Sequence, residues 1–421
     1  MEIDSALKYL FSLHTFGMKL GLENISGFLK TLDNPQDKIK TIHIAGSNGK
    51  GSTASFITSI LMEMDYNVGL YTSPHFVRFN ERIKVNNIEI PDDYVAGFID
   101  ANIDYIKQHE LTFFEVTTAM AFQYFYECEV DYAVIETGLG GRLDATNVIN
   151  SLASVITSIS LEHTNILGDT IPKIAWEKAA IIKGNTKVFT GKLPEPAAKV
   201  IEDRCRETNS LLYKIEDYII VKGEKLELYT EEIEIDDWSI PLKGSYQKYN
   251  AALAGLVVAK SLLVDDLRAI SRGIKNVIKN TGIQGRFEYY SFKPDIIFDS
   301  AHNAEGIECF LSEFKKNMGK YKRRVLLFGV MKDKSIKEML LLLKPCFDEI
   351  HVTQIDYERA CRTEDLQKIA GEISLCVFPD SNPTGFIKKF KEGEPEDCLV
   401  VLGSMYLLGE IKTSLQKNKN A

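Results

Sequence analysis

The sequence predicts an α/β protein in two parts, each a mostly parallel sheet flanked by helices, and three observations carry that expectation. A short β-branched run, Thr41, Ile42 and Ile44, breaks into a glycine-rich loop and then a helical stretch. Apolar runs of strand length, such as 132–136 and 154–159, recur between helical segments, and each stops at polar residues. The pattern starts afresh near Gln284-Gly285-Arg286, which divides the chain into a larger part, 1–283, and a smaller one, 284–421.

Length and composition narrow the classes. With 421 residues, 45% of them hydrophobic, the chain can bury more than one core. A net charge of −9 argues against nucleic acid or an anionic membrane as partner, while leaving room for a local basic pocket. The N-terminal Met-Glu-Ile-Asp-Ser lacks a basic signal-peptide start, and the longest apolar runs are too short to span a bilayer. Seven scattered cysteines without a Cys-x-x-Cys pair read as free thiols in the cytoplasm, with neither zinc nor disulfides.

Taken in order, Ala6, Tyr9, Leu10 and Leu13 have helical spacing, and a loop over 15–23 leads to a second helix ending at Leu32. Next comes Gly46-Ser47-Asn48-Gly49-Lys50-Gly51-Ser52. Glycines 46, 49 and 51 free the backbone so that successive N–H groups converge on an anion, and a helix over 52–64 adds its positive end. Lys50 supplies a charge for outer phosphates and Ser52 an oxygen for Mg²⁺. The spacing departs from the strict Gly-x-x-x-x-Gly-Lys-Ser/Thr pattern, because Ile44 and Gly51 occupy two of its positions.

A strand from Asn67 ends at Thr72, Ser73 and His75, which either cap a turn or face a ligand at the carboxyl edge of the sheet. Residues 81–91 read as a hairpin turning at Asn86-Asn87, and Thr112 with Glu115 reads as a capping box. The strand 132–136 ends in Glu136, where a carboxylate can reach Mg²⁺, and Arg142 and Asp144 follow on a flexible glycine-rich loop. His163 follows the strand 154–159 and has the placement of a further metal ligand. On the helix 174–182, Lys178 reads as a solvated lysine.

Residues 187–240 read as strand and turn, with an acidic, half-exposed run over 231–237. Asn250 falls in the first turns of an alanine-rich helix, facing outward or toward a base. In the smaller part, strands are expected over 296–298, 324–329, 349–353 and 398–402, and the tail 416–421 is expected to fray. Polar groups again close the strands: Asp299 to Asn303, Asp333-Lys334 and Ser404.

These motifs together resemble the folylpolyglutamate synthase and dihydrofolate synthase family of the Mur-ligase superfamily. The resemblance runs through Gly46 to Ser52, Tyr71-Thr-Ser-Pro-His75, Glu136 to Asn147, Ala175-Trp-Glu-Lys-Ala179, Gly285-Arg286, Asp299 to Asn303 and Leu402-Gly-Ser404. It implies a P-loop ATPase-type domain with an acid pocket, joined to a Rossmann-like glutamate ligase domain, with ATP between them. Gly46, Ser47, Asn48, Gly49, Lys50, Gly51 and Ser52 would then bind ATP, with Asn250 at adenine, Arg286 at the γ-phosphate and Asp299 at ribose. Ser52, Ser73, Glu136 and His163 would hold two Mg²⁺ ions, with K⁺ as a further cofactor candidate. Lys178 would be carbamylated, which replaces the solvated reading with a catalytic one.

The same resemblance puts Thr112, Phe113, Phe114, Glu115, Leu143, Asp144 and Ala145 around the pterin, and His302 and Ser404 at the incoming glutamate or the transferring phosphate. It implies a monomer acting on dihydropteroate or a reduced folate, L-glutamate and ATP through an acyl phosphate; a ligase for a peptidoglycan precursor is the alternative. A GTPase switch is disfavoured, since no Asn-Lys-x-Asp base motif is present. Ser47, Glu162, Tyr246 and Ser300 depart from the family pattern, which commonly has Thr, Asp, His and Gly there.

Overall fold

The structure, a computed structural model, describes residues 1–13, 21–222, 225–230, 234–235, 239–262 and 266–417. The loop expected over 15–23, the acidic run 231–237 and the tail 416–421 lie partly outside these residues. The chain divides into two compact units. The first comprises Met1–Pro74, Arg78–Pro241 and Lys248–Gly282, and the second His75–Val77, Leu242–Gln247 and Ile283–Ala421.

Among the described residues, the first unit is built on a sheet of eight strands: β1 (Thr41–Ala45), β2 (Val68–Tyr71), β3 (Ile83–Val85), β4 (Ile88–Glu89), β5 (Tyr132–Glu136), β6 (Ala153–Ile156), β7 (Lys187–Thr190) and β8 (Leu211–Lys214). Their order is β4-β3-β2-β5-β1-β6-β7-β8, and the six from β2 to β8 run parallel. Every residue of β1, β5 and β6 is buried, as a parallel sheet covered on both faces requires. The β3–β4 hairpin turns at Asn86 and Asn87, both with positive φ, the backbone a two-residue turn demands. A small antiparallel sheet, β9 (Ile219–Lys222), β10 (Lys225–Tyr229) and β11 (Glu234–Ile235), follows.

Two expectations about the helices of this unit fail. The helix after the glycine loop starts at Lys50, so Gly51 sits in its first turn and needs no unusual angle. Residues 187–240 are not all strand and turn, because Glu195–Glu207 is a helix with Ala197, Ile201 and Cys205 buried four residues apart. Pro196 in its first turn and that spacing were legible signals.

The second unit has the sheet β12 (Glu288–Ser291), β13 (Asp295–Phe298), β14 (Arg324–Phe328), β15 (Glu349–Val352), β16 (Phe378–Pro379) and β17 (Cys398–Leu402). Its order is β12-β13-β17-β14-β15-β16, parallel except for the antiparallel edge strand β12. Apolar clusters pack on both faces, one around Phe310, Phe314 and Leu340, the other around Phe298, Leu399 and Ile411. No helix among the described residues is long and apolar enough to cross a membrane.

Candidate active site

Four neighbouring strands, β2-β5-β1-β6, point their carboxyl ends the same way. Off those ends come Ser73, Glu136, the glycine loop and His163, so residues distant in sequence share one edge. Register enforces this: Ile44 of β1 lies opposite Glu136 of β5, and the Ser73 amide donates to Glu136 Oε2 at 3.2 Å.

Gly49 caps the helix Lys50–Met62 with φ +86°, an angle that favours glycine. At Gly46 the constraint is space, since a Cβ would lie 1.9 Å from Thr157 Oγ1. The loop after β6 clasps this turn. Ser47 and Asn48 amides donate to the Ser158 carbonyl and hydroxyl at 2.9 Å each, and Thr157 Oγ1 donates to the Asn48 carbonyl at 2.6 Å. The expected convergence of successive loop amides is therefore narrowed: the Ser47 and Asn48 amides are taken by Ser158, and those of Lys50, Gly51 and Ser52 have no acceptor inside the helix. Sequence reading missed Thr157, Ser158 and Ser160, whose role shows only in the pairing of β1 with β6.

Two lysines converge on one carbonyl. Lys50 Nζ donates to Gly46 O at 2.8 Å and Lys178 Nζ donates to the same oxygen at 2.9 Å. Lys178 is 1% exposed, which overturns its reading as a solvated lysine, and it pairs with Glu162 Oε1 at 2.7 Å. Burial pushes the Lys178 ammonium down, Glu162 opposes that, and Lys50 adds to it. Burial alone would raise Glu162, but Lys178, Lys50 and His163 outweigh it and hold the carboxyl down at about 2. Glu162, not singled out as a site residue, is thus the carboxylate that Lys178, Lys50 and His163 all act on.

Among the described residues no group of three or more His, Cys, Asp and Glu side chains stands together to hold a metal ion, so a cation here would rest on few protein oxygens. Glu136 and Ser52, 5% and 2% exposed, offer oxygens, and His163 caps a short helix with φ 45°. Mg²⁺ takes few protein ligands and completes its shell with phosphate and water, so a set with only one carboxylate suffices.

Beyond the edge, Thr112 and Glu115 form the expected capping box, with Glu115 Oε2 accepting from Thr112 N at 2.8 Å and Oγ1 at 2.9 Å. Phe113 is buried and stacks on the exposed Phe11, while Phe114 lies against Gly138, where a Cβ would be 2.5 Å from its ring. Leu143 is half-buried and Ala145 buried. Asp144 is not on a flexible loop. Leu139 N donates to its Oδ2 at 2.8 Å, and Thr146 N and Oγ1 donate to its Oδ1 at 3.1 and 2.6 Å. Arg142 pairs with Glu177 at 3.0 Å and stacks on Trp176. Asn250 lies beside Gly49, its Oδ1 2.7 Å from where a Cβ would stand.

In the second unit, Asp299 is 4% exposed and accepts from Phe287 N at 2.7 Å and Ala301 N at 2.8 Å. Burial raises its carboxyl and Arg286 opposes that. The backbone around Arg286 is pinned, because Gly285 N donates to Glu288 Oε2 at 2.7 Å and Gly285 O accepts from Ser300 N at 3.1 Å. Glu288 is clamped in turn by Lys412 Nζ at 2.7 and 2.9 Å. His302 Nδ1 is 2.9 Å from Ser300 O, and Ser404 Oγ accepts from Tyr406 N at 3.1 Å. Burial, and then Asp299, raises the Tyr246 phenol, while Arg286 opposes the shift.

Two family models match this chain: the Mur ligase middle domain over residues 44–258 and the Mur ligase glutamate ligase domain over 285–405. Fold and strand-end site thus define a Mur-type ligase. The chain is 36% identical over 418 residues to the dihydrofolate synthase/folylpolyglutamate synthase of Bacillus subtilis, covering 95% of this chain and 96% of that one. It superposes on Escherichia coli FolC in complex with DHPP and ADP with a TM-score of 0.86 at 30% identity, covering 100% and 99% of the two chains. The Yersinia pestis bifunctional enzyme complexed with AMPPNP and Mn gives 0.84 at 27% identity, covering 99% and 98%. The chain belongs to the folylpolyglutamate synthase/dihydrofolate synthase family.

Proposed function

We propose that this protein is an ATP-dependent ligase that joins L-glutamate to dihydropteroate, to the γ-carboxyl of tetrahydrofolate, or to both. What supports the reading is full-length similarity to enzymes of that name, together with a strand order in which the segments carrying Lys50, Ser52, Ser73, Glu136 and His163 follow the carboxyl ends of neighbouring strands. The first unit serves as a P-loop ATP-binding domain with the acid pocket, and the second as a Rossmann-like glutamate ligase domain. Both work as a monomer in the cytoplasm.

A carboxylate does not acylate an amine at neutral pH, because oxide is a poor leaving group. Transfer of the γ-phosphoryl group to the acid makes an acyl phosphate; the glutamate amine attacks its carbonyl carbon and phosphate departs. In this reading Lys50 and the first-turn amides of Lys50–Met62 hold the phosphates, Asn250 faces the base, and Arg286 and Asp299 meet the γ-phosphate and ribose. His302 and Ser404 orient glutamate; Thr112, Phe113, Phe114, Glu115, Leu143, Asp144 and Ala145 shape the acid pocket. Ser52, Ser73, Glu136 and His163 would hold Mg²⁺, two ions in all, which supplies charge neutralisation at the transferring group. K⁺ is a further cofactor in the same reading. Lys178 suits carbamylation, since burial favours the neutral amine that captures carbon dioxide.

The test is ADP release by the purified protein with Mg-ATP, L-glutamate and each pterin in turn. Release that needs both glutamate and a pterin, with a glutamylated product by mass spectrometry, supports the reading. ADP release indifferent to both substrates overturns it.

A further inference from the structure

Among the described residues, His43 is one of the buried titratable groups that the mechanism does not use. His43 lies in the middle of β1, fully buried, in the strand that runs straight into the glycine loop. Its Nε2 is 2.8 Å from Thr146 Oγ1, and Thr146 Oγ1 donates to Asp144 Oδ1 at 2.6 Å. A hydroxyl has one hydrogen. Since Asp144 takes it, the Thr146 oxygen accepts from His43, which fixes the proton on Nε2. The other ring nitrogen, Nδ1, is buried with no hydrogen-bond partner.

That imbalance is informative. As core filling, an imidazole with a bare nitrogen is inferior to leucine; what it adds is one N–H aimed at Thr146. We propose that His43 is a positioning residue for the acid substrate, holding the 139–147 loop through Thr146 in the shape that receives it. This rests on the pocket reading above, in which Leu143, Asp144 and Ala145 line the acid site. Asp144 accepts from Leu139 N and from Thr146 N and Oγ1, and the Gly138 amide also favours its carboxylate, so its orientation is set by the loop. One strand thereby sets both substrates: its end carries the phosphate loop, and its middle, through His43, braces the acid loop.

The experiment is steady-state kinetics on the full-length enzyme with dihydropteroate, or with tetrahydrofolate if that is the pterin turned over. His43→Leu should raise KM for the pterin about tenfold while KM for ATP and kcat at saturation stay within about twofold. Thr146→Val should do the same, the double variant should add nothing further, and His43→Gln, which keeps an N–H, should restore KM to within about threefold. An unchanged pterin KM in His43→Leu and Thr146→Val overturns the inference. So does a parallel rise of both KM values, which marks a general packing defect. Failure of the parent reading is distinct: the unaltered enzyme would then release no ADP in response to either pterin.

Discussion

The same histidine makes a sharp prediction about acid stability. Burial holds the His43 imidazole down at about 3, with Lys183 adding to the shift, against 6.5 for a free imidazole. With the folded value below the unfolded one, the contribution is complete above pH 6.5 and drains away as pH falls toward 3. At pH 5 the unfolded chain gains about 1.5 pH units of protonation free energy that the folded chain forgoes, a loss of about 2 kcal/mol relative to pH 7. This figure depends only on the unfolded value, provided the folded one lies below 5. Urea unfolding at pH 7 and pH 5, followed by tryptophan emission, measures it, because Trp176 lies in the first unit and Trp238 falls in the same stretch of sequence. In the difference between the native chain and His43→Leu the other titrating groups cancel. The native chain should lose about 2 kcal/mol more than the variant. Equal losses in both would refute the argument that the imidazole stays neutral in the fold.

Three further outcomes are expected. Lys178→Ala should abolish ligase activity, with partial rescue by acetate or bicarbonate; full activity without either would exclude a carbamate. Lys412→Met strips both oxygens of Glu288 of a cation, and since Glu288 is about a third exposed the loss should be about 2 kcal/mol, seen in denaturant unfolding, with KM for ATP raised as Arg286 loosens. Gly273→Ala would place a Cβ 2.4 Å from the Ile60 Cα, forcing Leu267–Lys275 away from the helix that carries Lys50, so unfolding should shift by roughly 1–3 kcal/mol.

Much of this was readable from residues alone, and the reasons are local. The strand 132–136 stands as expected because a wholly apolar run ends in a carboxylate. Thr112 and Glu115 pair because their spacing is that of a helix start, and Asn86-Asn87 turns because both residues tolerate positive φ. What escaped was tertiary. Lys178 looks like any helix lysine until its face is known to be covered, and Asp144 looks mobile until Leu139 and Thr146 bind it. The helix Glu195–Glu207 is an exception to that rule, since its buried Ala197, Ile201 and Cys205 already have helical spacing in the sequence. Nor could composition show that Phe76 belongs with the second unit, where Gly409 leaves no room for a side chain against its carbonyl.

The alternation of β5 and β1 at Ile44 and Glu136 has a consequence for anyone remodelling this chain. The residues expected at the site of the first unit follow the carboxyl ends of its strands, so connections that return to the amino-terminal rim are the places to lengthen, shorten or fuse. Removing a single residue from inside β5, by contrast, would swing its terminal carboxylate to the opposite face of the pleat and uncouple it from Ser73.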